Sequence, residues 1–408
     1  MEKIKGGITA AQGFKAAGVH SGVKYRSLDL GLVTSDVPAK CFIGYTTNKV
    51  KAAPVQVMME SDPRELEAFV INSGNANALT GKRGIEDVHN MRSHAASALG
   101  LDDEESVGVI STGLIGRFLN MPKILYGIDR ASKELAYGYE ADSDFSESIM
   151  TTDTRKKEIA YRVKLEDGSL VTIAGVAKGS GMVAPHMKVL HATTLSFIST
   201  DAVLSERFIS KWQETLDDTF NMISVDGDQS TNDMSVLMAN GLAGGDCADE
   251  DPNFMSALKN VMEDLAYMVV EDGEGVTKVI EVEVRGAASG ECAKSAVKSI
   301  IRSPLVKTAI FGSDPNYGRI MMALGNSDCD FDVEDVKLTV FGAGIEVPIL
   351  EYGTPVFEDQ RSVDIVRMAM DGDAVKIMVI LGDGEHSATG WGCDMSYDYV
   401  KINAEYTT

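Results

Sequence analysis

Glycine falls repeatedly at the end of a β-branched run, and this pairing narrows the fold more than any other feature. FVINSG (69–74) passes into NSGNANALTG (72–81), SVGVIST (106–112) into STGLIG (111–116), and SLVTIAGVA (169–177) into AKGSGM (177–182). Val, Ile and Thr favour extended backbone, and glycine ends it in turns that other residues resist. Helix-like stretches, SHAASALG (93–100) and ALKNVMEDLAYMVV (257–270), lie between such strands, and KVIEVEV (278–284) adds another. The pattern predicts an α/β protein with several sheet segments. At 408 residues and 44% hydrophobic content the chain can bury a large core, and its ten prolines are scattered with no low-complexity linker to mark a domain break. Turns of this kind, GDGEHSATG (382–390) included, present backbone N–H groups to an oxyanion or a carboxylate.

Several common chemistries fail on spacing. AKGSGM lacks the order of a phosphate loop. VDGDQSTND (225–233) begins like a calcium loop with Asp226, Asp228 and Ser230, but Thr231 stands where glycine is needed and Leu237 where glutamate is needed. The six histidines show no HxH or HExxH spacing, which disfavours a metal hydrolase, and no GxSxG elbow supports a Ser-His-Asp enzyme.

A net charge of −23 argues against nucleic acid as a partner. Residues 1–192 carry 23 Lys+Arg and 23 Asp+Glu, whereas 193–408 carry 15 and 38, so the whole excess lies after Ala192. The opening MEKIKGGITA is not a signal segment and no apolar run reaches membrane-spanning length, so the expected compartment is the cytosol and no membrane partner is expected. Five widely spaced cysteines (Cys41, Cys247, Cys292, Cys329, Cys393) suggest neither a disulfide framework nor a zinc site, and are read as buried or incidental thiols.

One stretch raises a chemical question. HATTLSFISTDA (191–202) reads as a threonine-bearing strand, yet Ala192–Thr193 is also where a chain would be cut to free an N-terminal threonine. Such a threonine supplies its own base: an α-amine, with an ordinary pKa of about 8, can accept the hydroxyl proton. These residues alone leave both readings open.

Taken in order, GGITAAQGFKAAGVHSGVK (6–24), TTNKVKAAPV (46–55), NSGNANALTG, STGLIG, IMTTDT (149–154), AKGSGMVAPHM (177–187), ATTLSFISTDA (192–202), SVDGDQSTND (224–233), DGEGVTK (272–278), IFGSDPNYGRI (310–320) and YDYVKINAEYTT (397–408) resemble the glutamate N-acetyltransferase / ornithine acetyltransferase family of arginine biosynthesis along essentially the whole chain. The resemblance implies a layered helix-sheet-sheet-helix α/β fold shared with DmpA-type self-processing aminopeptidases. It implies self-cleavage into an α chain (1–192) and a β chain (193–408) that assemble as α2β2. The implied reaction moves acetyl from N-acetylornithine to glutamate through an acetyl-threonine. No metal or organic cofactor is then needed, and acetyl-CoA is left open as a co-substrate.

Carried onto this chain, the resemblance makes Thr193 the nucleophile, Ala192–Thr193 the cleavage site, Thr112 and Gly113 the oxyanion donors and Lys178 the essential lysine. Substrate contacts fall on Thr151 or Thr152, Lys178, Thr193, Glu274, Asn403 and Thr408. Singly, each has a bland alternative: Gly113 as a turn residue, Lys178 as a solvated charge, Glu274 as a helix cap. Two departures stand out. Lys188, Val189, Leu190 and His191 read as an insertion beside the scissile bond, with Thr194 a second hydroxyl, and Tyr317 replaces a usual Trp. An amidase or aminopeptidase-like hydrolase of the same fold, and an unprocessed inactive homologue, are the alternative functions.

Overall fold

The computed structural model describes residues 1–188, 195–356 and 359–405. In chain order its strands are β1 (Glu2–Ile4), β2 (Phe14–Val19), β3 (Leu30–Thr46), β4 (Glu65–Asn75), β5 (Val107–Leu114), β6 (Lys157–Lys164), β7 (Leu170–Lys178), β8 (Met187–Lys188) and β9 (Leu195–Thr200). They continue as β10 (Ile223–Ser224), β11 (Met234–Ala239), β12 (Val279–Ala287), β13 (Lys337–Gly342), β14 (Ile345–Glu351), β15 (Thr354–Pro355), β16 (Ala374–Ile380) and β17 (His386–Cys393). The helices are α1 (Ala53–Ser61), α2 (Gly81–Leu99), α3 (Met121–Glu134), α4 (Tyr139–Ile149), α5 (Ile209–Asp218), α6 (Pro252–Glu271), α7 (Gly290–Arg302), α8 (Pro304–Phe311), α9 (Tyr317–Gly325), α10 (Gln360–Met370) and α11 (Tyr397–Glu405).

The first sheet runs β1-β6-β7-β9-β11-β3-β4-β5, with β2 and β8 also paired to β3. Alternate residues of β4 serve two cores: Phe69 and Ile71 face one that includes Phe145 of α4, Trp212 of α5 and Phe254 of α6, while Ala68 and Val70 face another shared with α2 and α3. Helices therefore cover both faces, and a doubly covered strand needs no polar alternation. LSFIST in β9 and MSVLMA in β11 are buried at every position, as this predicts. Phe197 of β9 meets Phe69 and Phe145 edge-on, tying strand to helix.

The second sheet runs β10-β17-β12-β16-β13-β14-β15. Here the alternation is plain. Ile280, Val282 and Val284 of β12 pack with Ala296, Val297 and Ile300 of α7, while Lys376 of β16 bridges Glu281 (2.8 Å) and Glu283 (2.7 Å) on the other face. One face is dry and one is polar, the usual half-covered sheet.

The α/β class read from the sequence is the class observed, and the strands and helices read from FVINSG, SVGVIST, SLVTIAGVA, KVIEVEV, SHAASALG and ALKNVMEDLAYMVV coincide, to within one residue at an end, with parts of β4, β5, β7, β12, α2 and α6. The cysteine reading needs correction: Cys292 and Cys329 form a disulfide, with Cα atoms 4.3 Å apart across a sequence separation of 37. The start of α7 and the loop after α9 bring them together, which spacing in the sequence does not reveal. No described helix is long and apolar enough to cross a membrane.

Candidate active site

A cavity of about 350 Å³ opens where the C-terminal ends of β5 and β7 meet the loops after α4 and α6. Thr112, Gly113, Thr151, Thr152, Lys178, Glu274 and Asn403 all line it. Ala192, Thr193, Thr194 and Thr408 lie outside the described residues, as does most of the Lys188–His191 insertion. The nearest described position downstream of Thr193 is Leu195, which opens β9 paired to Lys178 on one side and Met234 on the other.

Thr112 and Gly113 stand next to the end of β5, followed in the strand only by Leu114. Gly113 pairs with Gly74 of β4 at a register irregularity and takes φ +130°, and a Cβ there would stand 2.4 Å from the Gly74 carbonyl carbon and 2.6 Å from the Asn75 nitrogen. Only glycine fits a left-handed backbone pressed against another backbone. Neutral groups steady this edge. Ser111 Oγ donates to Asn72 Oδ1 at 2.6 Å, and Asn232 Nδ2 donates to the carbonyls of Ala76 (2.5 Å) and Ser111 (2.8 Å). The strand end is thus held in place where it borders the cavity.

The opposite wall carries charge. Lys178 ends β7, and burial lowers the pKa of its ammonium against the pull of Asp153, Asp233 and Glu274, with Lys157 adding to the lowering. A desolvated amine among carboxylates is poised to meet a substrate carboxylate or to depress a neighbouring amine. Glu274 follows α6, where its N–H donates to the Ser180 carbonyl at 3.0 Å and its carboxylate accepts from Asn403 Nδ2 at 2.9 Å. It caps no helix, since Asp272 holds the C-cap of α6. Gly181 leaves room for that carboxylate: a Cβ at 181 would lie 2.4 Å from it.

Residues outside the carried-over set also line the cavity. The stretch 226–233, which fails as a calcium loop, borders it through Asp226, Asp228 and Asn232 among others, and Tyr399 of α11 lines it too. Asp226 is pushed up to about 6 by burial, although the N–H groups of Asp228, Met182 and Val183 donate to it and oppose the shift. The segment SVDGDQSTND is one of those that resemble the family, and the resemblance gives none of its residues a role. Tyr317 opens α9 and packs against the core of the second sheet rather than the cavity. Among the described residues no cluster of three or more His, Cys, Asp or Glu side chains is arranged to hold a metal.

A two-sheet α/β scaffold with a small cavity lined by a glycine-bearing strand end, a lysine and a carboxylate is the setting of an enzyme that handles a small charged molecule. Residues 15–408 match the ArgJ family. Curated relatives include the arginine biosynthesis bifunctional protein ArgJ of Halalkalibacterium halodurans, 44% identical over 99% of this chain and 96% of its own, and that of Caldanaerobacter subterraneus, 44% identical over the full length of both. A solved ornithine acetyltransferase from Mycobacterium tuberculosis, complexed with ornithine, is 37% identical and covers 46% of this chain and 99% of its own, with a TM-score of 0.43. The chain belongs to the ArgJ family.

Proposed function

We propose that this protein transfers the acetyl group of N-acetylornithine to glutamate, yielding ornithine and N-acetylglutamate. The observation that carries the reading is the convergence of Thr112, Gly113, Lys178 and Glu274, from three distant segments, on one cavity beside the start of β9. The full-length similarity to ArgJ proteins supports it further.

The chain first cuts itself. Thr193 Oγ attacks the Ala192 carbonyl, the negative oxygen is held by Thr112 and Gly113, and the Ala192–Thr193 amide becomes an ester that water hydrolyses. This frees the Thr193 amine and leaves an α chain, 1–192, and a β chain, 193–408, in an α2β2 assembly in the cytosol. In turnover the amine takes the Oγ proton as Oγ attacks the acetyl carbonyl. The same donors hold the oxyanion, and the proton passes to the leaving nitrogen as ornithine departs. Glutamate's amine attacks the acetyl-threonine ester, and its proton returns through the Thr193 amine to Oγ. Lys178 meets a substrate carboxylate, while Glu274, Asn403, Thr151 or Thr152 and Thr408 hold the amino-acid portion. The ester itself carries the acetyl group, so the scheme uses no cofactor; acetyl-CoA enters only if it can also acylate Thr193.

Incubation with N-acetylornithine, with and without glutamate, tests the reading. Ornithine and N-acetylglutamate forming together, in a glutamate-dependent way, is the expected result. Release of acetate at the same rate without glutamate assigns the protein to the hydrolases instead. Intact mass should show two chains with Thr193 as the second N-terminus, and Thr193→Ala should give one uncut chain without transferase activity. Finding Thr194 as the N-terminus would overturn the assignment of the nucleophile. Acetyl-CoA with glutamate decides whether that donor is used.

A further inference from the structure

Three of the lining segments share a support that does not itself line the cavity. Lys157, the first residue of β6, is wholly buried between two carboxylates, with Nζ 2.6 Å from Asp153 Oδ1 and 2.6 Å from Asp272 Oδ2. Each carboxylate then reaches further. Asp153 Oδ1 accepts the Gly179 N–H at 2.7 Å and Oδ2 accepts the Thr151 N–H at 3.0 Å. Asp272 accepts the Thr154 N–H at 3.0 Å and the Thr154 hydroxyl, and its carbonyl accepts Ser180 Oγ at 2.7 Å. Ser180 in turn accepts the Glu274 N–H. Lys24 pins the same region from another side, donating to the Met150 carbonyl at 2.5 Å.

We propose that Asp153 is a positioning residue of the pocket: with Lys157 and Asp272 it sets the spacing of Thr151, Lys178 and Glu274, and its carboxylate, bonded to the Gly179 N–H, keeps a negative charge beside Lys178. This rests on the acetyl-transfer reading. Asp272 has a second cation in the half-exposed Arg155, whose Nε lies 3.6 Å from Oδ1, whereas the charge of the buried Asp153 is answered by Lys157 and, beside it, Lys178. Burial opposes ionisation of Asp153, yet Lys157 and Lys178 outweigh it and hold the carboxyl below its usual range. The charged groups around Lys178 are Asp153 and Lys157 from the segment leading into β6, Asp233 before β11, Glu274 after α6, and Lys24 from the loop after β2.

Asp153→Asn separates positioning from mere structural support. The substitution leaves Lys157 matched by Asp272 and keeps an oxygen acceptor, so the folded enzyme is expected with Tm near that of the wild type. The KM for N-acetylornithine should rise about tenfold, in keeping with loosened placement of binding groups. Loss of the carboxylate charge lowers the Lys178 pKa further, and Lys178 binds substrate only when protonated. The alkaline limb of kcat/KM should therefore move to lower pH. A purely structural role would change Tm and leave the limb in place, and an unmoved limb overturns the proposal. Should that variant not accumulate folded, Thr154→Val breaks one arm of the network without altering charge, and an unchanged KM there overturns it as well. Wild-type enzyme that makes no N-acetylglutamate from these substrates removes the underlying reading; active wild type with an unmoved limb in Asp153→Asn removes only this inference.

Discussion

On the β5 side of the cavity the ties are neutral, amide and hydroxyl to carbonyl, whereas on the β7 side they run through buried ions. Asn72, Ser111 and Asn232 hold the Thr112–Gly113 edge; Asp153, Lys157 and Asp272 hold the segments bearing Thr151, Lys178 and Glu274. Neutral ties fix backbone dipoles whose orientation does not depend on pH. Ionic ties fix side-chain charges whose strength depends on protonation and on exclusion of water. In the proposed reaction, the first wall would meet a charge that appears only during reaction, and the second the charges the substrate brings with it.

The largest break in this contrast should come from the neutral wall. Gly113→Ala drives a Cβ into the Gly74 and Asn75 backbone, where nothing can swing aside. We expect kcat to fall by at least the 10²–10³-fold typical of losing one oxyanion donor, with self-cleavage slowed in parallel when followed by intact mass. Thr112→Ala should fall within that same range, with a smaller effect on KM, and should lower the whole pH–rate profile without moving either limb. A loss confined to KM would mean that Thr112 only places substrate.

Next comes Gly181→Ala on the ionic wall. Its Cβ would meet the end of the Glu274 side chain, which can rotate away, so the fold should survive. We expect KM for N-acetylornithine to rise about tenfold with kcat less affected, the mark of a lost ground-state contact. Equal losses in kcat at saturating substrate would place Glu274 in the chemical step instead.

The smallest effect should follow Asn403→Ala. Its single bond to Glu274 is exposed, and one such hydrogen bond is worth about 1 kcal/mol net, so a several-fold rise in KM with unaltered Tm is the outcome expected from steady-state kinetics and thermal melts. A change beyond about a hundredfold would show that α11 as a whole has lost its seat over the cavity.

Local physics made much of this legible in advance. β-branched runs closed by glycine identified β4, β5 and β7 and the turns at their ends as places where backbone N–H groups are presented; the family resemblance then named Thr112, Gly113, Lys178, Thr151, Thr152, Glu274 and Asn403. The long β3 and the strands β13 to β16 were not legible in the same way, since their patterns become meaningful only beside the strands they pair with. Cys292 and Cys329 were misread for a related reason: no spacing rule connects two thiols that a helix start and a distant loop bring together.

By itself, then, the sequence determined the α/β class, the extended runs and their glycine ends, because backbone preference acts over a few residues. It is also the sole basis for assigning Ala192, Thr193 and Thr408. Only the tertiary structure decided that Asp153 and Asp272 share Lys157, that Asn232 holds the edge before Thr112, and that Glu274 meets Asn403. Those ties depend on distances of a few Å between groups far apart in the chain, 115 residues for Lys157 and Asp272. Hydrogen bonds and desolvated charges become strong only after folding has excluded water around them.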